Sequence, residues 1–392
     1  MRRWRDLFVA WLLALCAVAG AMASTVADHM PVQELRQAQL TSLRGTRSVT
    51  LPHVMERGDF GAEGTIVTYR MTIELPAAPT QALGITLDKL GLSGRIFVNG
   101  HDLGGCAPGD VRLSRCIYKP LWRYATPAVW RAGSNEVVVH VWATPSQANG
   151  LSVVTVGPAR AVYEDHYRPR QFWQLDLVVA LQWSIFTLGL MSLVIGIAMG
   201  GDRLYCWFGL AALARALSTS ATLTTDVWFD PWWMNWLVSS LRVVTLPLTM
   251  IAMLAFFERL SRRMEIGLAI YAVVAVVIIA LASAAQPAAM LVAAPIAALS
   301  AMLIVSFSVD ILRSRKARDI ILLMCVVVLF IAGMHDITVY RGLAYSRPLL
   351  MPYTSGVILL VLGGLLVVRL AEALRTSADL NTILADKVAA HE

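Results

Sequence analysis

The region from Phe172 to Leu370 is an almost unbroken series of apolar segments, each about 20 residues long or slightly longer. An α-helix of that length crosses the hydrocarbon core of a bilayer, which is roughly 30 Å thick. The region therefore predicts a bundle of membrane-spanning helices to which the rest of the chain is attached. We predict seven spans: Phe172–Met199, Leu204–Leu223, Trp233–Phe257, Glu265–Ala284, Ala288–Leu312, Asp319–Tyr340 and Leu349–Leu370.

The basic residues between the spans predict the orientation of the bundle, because cytoplasmic loops carry more lysine and arginine than exported ones. Three alternate connections hold eight basic residues, whereas the other three hold two. The eight are Arg203, Arg259, Arg262, Arg263, Arg313, Arg315, Lys316 and Arg318. The flank before Phe172 is therefore expected outside the inner membrane, and the flank after Leu370 is expected in the cytoplasm.

Composition agrees with a membrane protein. Hydrophobic residues make up 57% of the chain and its mean hydropathy is +0.62, values outside the range of soluble domains. The formal net charge of +7 is accounted for by the cytoplasmic loops. We therefore expect membrane lipid and no nucleic acid among the partners.

The first residues have the composition of a secretory signal peptide. A basic start is followed by the apolar run Leu7–Ala19 and by Ala21-Met-Ala23, which has the small-x-small form of a cleavage site. We expect a signal peptide over residues 1–23, and the alternative is an uncleaved anchor helix. The remaining predicted domains are an exported sensor domain over 24–168, the helical bundle over 169–371 and a cytoplasmic output helix over 372–392.

The exported domain has the pattern of an all-β fold. Alternating polar and β-branched residues, separated by Gly, Pro and Asn, predict short strands of an antiparallel sandwich. Before them, Val32–Leu43 fits either a short helix or an ordered lead-in. The predicted strands are Thr65–Leu75, Leu83–Leu90, Gly94–Val98, Glu136–Trp142 and Leu151–Val156.

Two motifs in this domain resemble the galactose-binding-like jelly roll. They are RIFVNGHDLGG at Arg95–Gly105 and TPAVWRAGSNEVVVHV at Thr126–Val141. Asn99-Gly100 supplies the positive φ angles of a tight hairpin, and Gly133 with Asn135 introduces the next strand. The resemblance implies a jelly-roll-like sandwich, and it says little about whether sugar binds.

Aromatic faces and planar donors suit a carbohydrate or a small acid, so Trp122, Arg123, Tyr124 and Trp130 are candidate ligand contacts. The alternative is that the two tryptophans only pack in the core. No two carboxylates of the domain show a spacing that singles out the pair a glycosidase needs. We therefore interpret the domain as a binding module.

Cysteine usage suggests one disulfide. Cys16 lies in the signal peptide, and Cys206 and Cys325 lie in predicted spans. Cys106 and Cys116 remain in an exported segment, where disulfides persist. We predict that these two are joined.

The predicted bundle contains few ionisable residues. Arg215, Arg242, His335 and Asp336 lie at compatible depths, so they predict a polar cluster in which one arginine pairs with Asp336. This cluster is either a structural ion pair or a switch. One histidine beside one carboxylate is too few ligands for zinc, so no metal or cofactor is expected. The absence of a lysine between Lys119 and Lys316 excludes a retinal protein.

The order of the parts resembles the bacterial seven-transmembrane receptors with diverse intracellular signalling modules. The resemblance is carried by PRQFWQLDLVVALQWSIFTLGLMSLVIG (Pro169–Gly196) and RLAEALRTSADLNTILADKVAAHE (Arg369–Glu392), which look like the linkers of receptors fused to sensor histidine kinases. It implies a receptor for a small periplasmic ligand, such as a carbohydrate, that signals to a cytoplasmic kinase domain or response-regulator pathway. The alternative is a small-molecule transporter or channel.

Residues after Leu370 show the spacing of a coiled-coil seam. Leu374, Asn381, Leu384 and Val388 lie along one line of a helix and predict a parallel homodimer. No phosphotransfer or nucleotide-binding domain follows them in the sequence, so catalysis is left open. Either the chain is the input half of a longer kinase or it acts through a separate protein.

Overall fold

The computed structural model describes residues 31–389, with gaps at 107–113, 117–118, 146–148, 225–230, 257, 283–287, 341, 343–344 and 346. Between 289 and 316 it omits 289–290, 293, 296–297, 300, 303–304, 307 and 310–316. The predicted signal peptide and the end of the chain after 389 lie outside the described residues. The described chain is an all-β region followed by a helical region.

The all-β region is an antiparallel β-sandwich. One sheet has four strands in the order β1-β12-β6-β9, the second has six in the order β3-β2-β5-β10-β7-β8, and β11 pairs with β4. The strands are β1 Gln33–Leu35, β2 Gln37–Ser42, β3 Gly45–Thr50, β4 His53–Val54, β5 Thr65–Leu75, β6 Leu83–Leu87, β7 Ser93–Val98, β8 His101–Gly105, β9 Leu121–Ala125, β10 Gly133–Ala143, β11 Gly150–Leu151 and β12 Val154–Pro158.

Alternation along the strands decides which face is buried. In β5, Val67, Tyr69 and Met71 are at most 2% exposed, whereas the residues between them are more accessible. Side chains on successive strand residues point to opposite faces, so one face of β5 forms the core. β6 differs because all five of its residues are buried, which shows that both of its faces are covered.

The amino-terminal segment adopts neither of the two forms considered from sequence. Residues of Val32–Leu43 form the strands β1 and β2 instead of a helix or a lead-in. Ala38 and Leu40 are buried on the core face of β2, and the strand pairs with both β3 and β5. The two-residue alternation of Ala38 and Leu40 is the pattern of a strand.

The two sequence motifs of the sandwich contact each other. Asn99 and Gly100 have φ angles of 47° and 82°, as the tight turn between β7 and β8 requires. The amide of Asn99 donates to Oδ1 of Asn135 at 2.8 Å and to the carbonyl of Val129 at 2.9 Å, and its own Oδ1 accepts the N–H of Glu136 at 2.9 Å. The hairpin turn is thereby fixed to the start of β10.

The helical region contains six helices with defined bounds. They are α1 Ala159–Ala198, α2 Arg203–Leu223, α3 Pro231–Phe256, α4 Arg262–Leu281, α5 Ala317–Tyr340 and α6 Met351–Ala389. The residues described between 288 and 309 are also helical. Helix α1 includes two π-helical turns, at Val162–Tyr167 and Phe172–Asp176.

Four segments of the described chain are long and apolar enough to cross a membrane. They overlap four of the seven predicted spans, and three of them extend beyond the predicted bounds: Ala159–Ala198, Trp236–Phe256, Arg262–Leu281 and Met351–Leu384. Helices α2 and α5 coincide with two further predicted spans, and about half of the predicted span Ala288–Leu312 lies outside the described residues. The protein is therefore a membrane protein, and the count of seven spans stays a prediction.

Glycines allow α1 to pack closely against two other helices. A Cβ added at Gly189 would lie 2.8 Å from the Cβ of Ala212 in α2. A Cβ added at Gly363 in α6 would overlap the side chain of Leu188. Small residues at such contacts let helix backbones approach, and van der Waals packing then holds helices together in a membrane.

The Asn135 side chain is expected to be a main determinant of sandwich stability. It is fully buried, its Oδ1 accepts from Asn99 and from the N–H of Arg131, and its Nδ2 donates to the carbonyls of Arg131 and Gly133. Asn135→Ala leaves several buried partners unsatisfied and should lower the free energy of unfolding by about 2–4 kcal/mol. Thermal unfolding of the full chain measures the loss.

The control is Ser134→Ala, because Ser134 is exposed and adjacent. Its effect should stay within about 0.5 kcal/mol. Equal effects of the two substitutions would contradict a structural role for the asparagine pair.

Candidate functional site at the junction of the sandwich and the helices

Two adjacent residues of the sandwich contact the helical region. Asp88 and Lys89 directly follow strand β6. Their backbone N–H groups both donate to Oγ of Ser152, at 3.0 and 3.1 Å, and the N–H of Ser152 donates to the carbonyl of Lys89 at 2.9 Å. These hydrogen bonds fix the backbone of Asp88 and Lys89 beside Ser152, which precedes strand β12.

Asp88 and Lys89 contact different helices. The Asp88 carboxylate forms an ion pair with Arg170 in the first turns of α1. The ammonium of Lys89 donates to the carbonyl of Tyr345 at 3.1 Å and lies 4.4 Å from the centroid of the Tyr345 ring. Tyr345 lies in the connection from α5 to α6. The dipeptide Asp88-Lys89 therefore contacts both the first helix and the connection that leads into the last one.

Tyr345, in this connection, is buried against the sandwich. It is 3% exposed, and its hydroxyl donates to the carbonyl of Gly150 in β11 at 3.0 Å. Burial raises the pKa of Tyr345 well above its ordinary value, so the hydroxyl stays a donor at physiological pH. The backbone and side chain of Tyr345 are thus both bonded to the sandwich.

Asp336 caps the last helix. Its two carboxylate oxygens accept the N–H groups of Leu350, at 2.7 Å, and Met351, at 3.0 Å, and Oδ1 also contacts Nδ1 of His335 at 3.1 Å. The first N–H groups of any helix lack partners within the helix, and the helix dipole makes this end positive. A buried carboxylate is well suited to this position, and Asp336 is 4% exposed.

The predicted ion pair between an arginine and Asp336 is wrong for the described residues. Arg215 instead donates to the carbonyl of Met351 at 3.1 Å, and Arg242 donates to Thr222 at 3.5 Å. Asp336 forms its one described ion-pair contact with His335. The backbone N–H groups at the start of α6 and the ring of His335 supply the partners of this carboxylate instead. Arg215 and Asp336 are therefore linked through the backbone of Met351.

An aromatic groove lies between strand β9 and the start of α1. It has a volume of about 540 Å³ and is lined by Ala82, Trp122, Tyr124, Ala159, Arg160 and Tyr163. Trp122 lies 5.4 Å from Tyr124 and 5.1 Å from Tyr163, measured between ring centroids. The groove includes the first π-helical turn of α1, and such turns often occur at functional sites.

The four candidate ligand residues occupy different environments. Trp122 and Tyr124 line the groove. Arg123 instead donates to the carbonyls of Trp122 and Gly105, and burial lowers its pKa. Trp130 is 4% exposed and belongs to the core.

A disulfide joins Cys106 to Cys116, whose Cα atoms are 5.7 Å apart. It closes the segment that separates β8 from β9. Within the described part of the chain, no three His, Cys, Asp or Glu side chains converge as a metal site requires.

Sequence reasoning missed Asp88, Lys89 and Tyr345. A signal existed, because a charged Asp-Lys pair directly follows the apolar strand LGITL. Tyr163 of the groove was missed too. So was Tyr167, whose ring centroid lies 6.2 Å from that of Trp122, although a spacing of four places the two tyrosines on one face of a helix.

Residues 178–372 match the family described as 7TM diverse intracellular signalling. This part of the chain belongs to that family. The match begins within α1 and ends within α6, so it covers most of the helical region. No curated protein sequence matches the chain.

Solved structures with some likeness to the chain are β-glucuronidases. The FMN-binding β-glucuronidase from Facaelibacterium prausnitzii L2-6 is 21% identical with a TM-score of 0.26, over 33% of this chain and 22% of that one. The Ruminococcus gnavus β-glucuronidase in complex with D-glucuronic acid is 13% identical with a TM-score of 0.27, over 35% and 31%. The chain therefore spans less than a third of the length of these enzymes.

Lys89 should make stability depend on pH. Burial lowers its pKa from 10.5 to about 8, and the charge of Asp336 opposes this shift. Between about pH 8 and 10.5 the unfolded chain binds more protons than the folded chain, so the free energy of unfolding rises with pH. Between about pH 7.5 and 10.5, the free energy of unfolding of the wild type should increase by on the order of 1–3 kcal/mol relative to that of Lys89→Met.

Melting temperatures of the detergent-solubilised chain at several pH values measure this difference. Lys387→Met is the matched control, because Lys387 is exposed on α6. The melting temperature of Lys387→Met should change with pH in parallel with that of the wild type. A parallel curve for Lys89→Met as well would show that Lys89 is not buried as a cation.

Proposed function

We propose that this chain is a receptor of the bacterial inner membrane that binds a small periplasmic ligand and transmits the signal to the cytoplasm through α6. The observation that supports this is the pair of contacts made by Asp88 and Lys89. They hold α1 and the connection to α6 against the same edge of the sandwich. Membership of a signalling family supports the same function.

Helix α6 has the length that the proposal needs. It runs without interruption for 39 residues. At 1.5 Å per residue this is about 58 Å, whereas a bilayer core is roughly 30 Å thick. A helix capped by Asp336 at one end can therefore continue well beyond the membrane at the other.

The aromatic groove is the proposed ligand site. Tyr124 is 56% exposed and Tyr163 is 37% exposed, so both rings are accessible to a ligand. Arg160 is paired with Glu164 at 3.0 Å, and the guanidinium of Arg123 binds backbone carbonyls. Because these donors of both arginines already have partners within the chain, we propose a neutral, polyhydroxylated ligand that stacks on the aromatic rings.

Tyr124→Ala should weaken binding of such a ligand by roughly 3- to 10-fold, because a stacking ring contributes about 0.5–1.5 kcal/mol. Isothermal titration of the full chain with a panel of neutral mono- and disaccharides measures the change. Leu43→Ala is the control, since Leu43 is a 63% exposed apolar residue outside the groove. The ligand assignment is wrong if no neutral saccharide binds, or if binding is unaffected by Tyr124→Ala.

The cytoplasmic part of α6 is proposed to pair with a second copy of the chain. Leu374, Leu384 and Val388 are about 60% exposed on this helix, at 62%, 59% and 60%. An isolated helix with so many exposed apolar residues is marginally stable in water, and a coiled coil would bury the seam. The pair would then present its ends to a cytoplasmic kinase domain or a response-regulator pathway.

Disulfide crosslinking tests both the seam and its link to the sandwich. Single cysteines at Leu374, Asn381 and Val388 should crosslink in membranes far more than a cysteine at Thr376, because the first three lie on the seam. Adding Lys89→Met should change the yields at the seam, because it breaks the contact that holds the start of α6. Gel mobility without reductant measures the yields.

Cys206 and Cys325 are first replaced by serine, so that only the introduced thiols react. Lys387→Met is the matched loss of a lysine on the same helix. Equal yields at seam and non-seam positions would refute the dimer. Unchanged yields with Lys89→Met would refute transmission through the junction.

A further inference from the structure

Arg115 is a buried cation whose donors lack partners. It is 6% exposed, and its Nε and Nη1 atoms are buried without a hydrogen-bond partner in the described chain. The segment that carries it is fixed in place: the N–H of Cys116 donates to the carbonyl of Leu92 at 2.7 Å, and the hydroxyl of Ser114 bonds that of Ser93. The side chain therefore cannot simply turn to solvent.

The surroundings of Arg115 are positive. Burial and, to a smaller extent, the positive charge of Arg242 together lower its pKa to about 10. Within the described residues, no carboxylate acts on Arg115 to oppose these effects. The guanidinium still carries its charge at neutral pH, and a buried charge without an anion is strongly unfavourable.

Arg242 places this charge beside the helices. It lies in α3 and donates to Thr222 of α2 at 3.5 Å. Arg115 comes from the sandwich, and the positive charge of Arg242 acts on it. Both are arginines, whose planar donors match the two oxygens of a carboxylate or phosphate.

We propose that Arg115 forms a binding site for an oxyanion, a carboxylate or a phosphate, on the side of the sandwich where the charge of Arg242 in α3 also acts. The oxyanion supplies the negative charge that the described residues around Arg115 lack and accepts from its Nε and Nη1. It comes either from a soluble solute or from the headgroup of an anionic lipid. The site is separate from the aromatic groove, and the proposal does not depend on the receptor function.

The test compares melting temperatures of the full chain in detergent, at constant ionic strength, as chloride is replaced by phosphate or succinate. A ligand that binds the folded state raises the melting temperature in a saturable way. The wild type should show this rise. Arg115→Gln should need a concentration roughly 10-fold higher or more for the same shift, because it loses charge-assisted hydrogen bonds.

Two further variants make the result decisive. Arg57→Gln is the control, because Arg57 is exposed in the sandwich and loses the same charge, and it should respond like the wild type. Arg115→Lys keeps the buried charge but loses the planar fork. If Arg115→Gln does not fold, Arg115→Lys takes its place in the comparison. Its melting temperature should also rise only weakly with phosphate or succinate.

Nanodiscs distinguish the two sources of the oxyanion. In discs of phosphatidylcholine without added phosphate or succinate, the lipid headgroups carry no net negative charge; adding the anionic lipid phosphatidylglycerol should stabilise the wild type more than Arg115→Lys if an anionic headgroup supplies the group. A response to soluble anions alone identifies a solute. The proposal is overturned if the variants at Arg115 respond like the wild type, or if neither soluble anions nor anionic lipid stabilises the wild type.

Discussion

The start of the last helix is the position on which the arrangement of this protein depends. A helix that enters an apolar environment must find acceptors for its first N–H groups, because no water is there to accept them. Asp336 supplies both oxygens to Leu350 and Met351. This contact ties the start of α6 to α5.

The sandwich is attached to the helices through polar contacts. Ser152 holds Asp88 and Lys89 in place, and these residues reach Arg170 and Tyr345. Each contact contributes only about 1–3 kcal/mol, which is within the free energy that binding a small ligand can supply. A junction built this way can shift between arrangements, whereas the glycine-mediated packing of α1 against α2 and α6 favours motion of these helices as packed bodies.

Burial explains why this junction has unusual electrostatics. Lys89 is 8% exposed and Arg115 is 6% exposed, so both cations have left water. Lys89 finds the Tyr345 carbonyl, the Tyr345 ring and the charge of Asp336. Arg115 has the charge of Arg242 beside it instead. The sandwich therefore holds one buried cation with described partners, Lys89, and one, Arg115, for which we propose an external oxyanion.

The sequence by itself determined the features that depend on local pattern. Apolar length predicted the spans that the four membrane-length helices overlap, period-two alternation predicted β5 and β10, and Asn99-Gly100 predicted the hairpin, because each signal is complete within a few neighbouring residues. Tertiary structure alone decided the contacts between distant segments. It placed Tyr345 against Lys89, assigned Asp336 to the α6 backbone instead of an arginine, and put Trp122 but not Trp130 in the groove. Depth in a helix limits which charges can meet, but the choice of partner depends on which unsatisfied groups the packed fold brings within hydrogen-bonding distance.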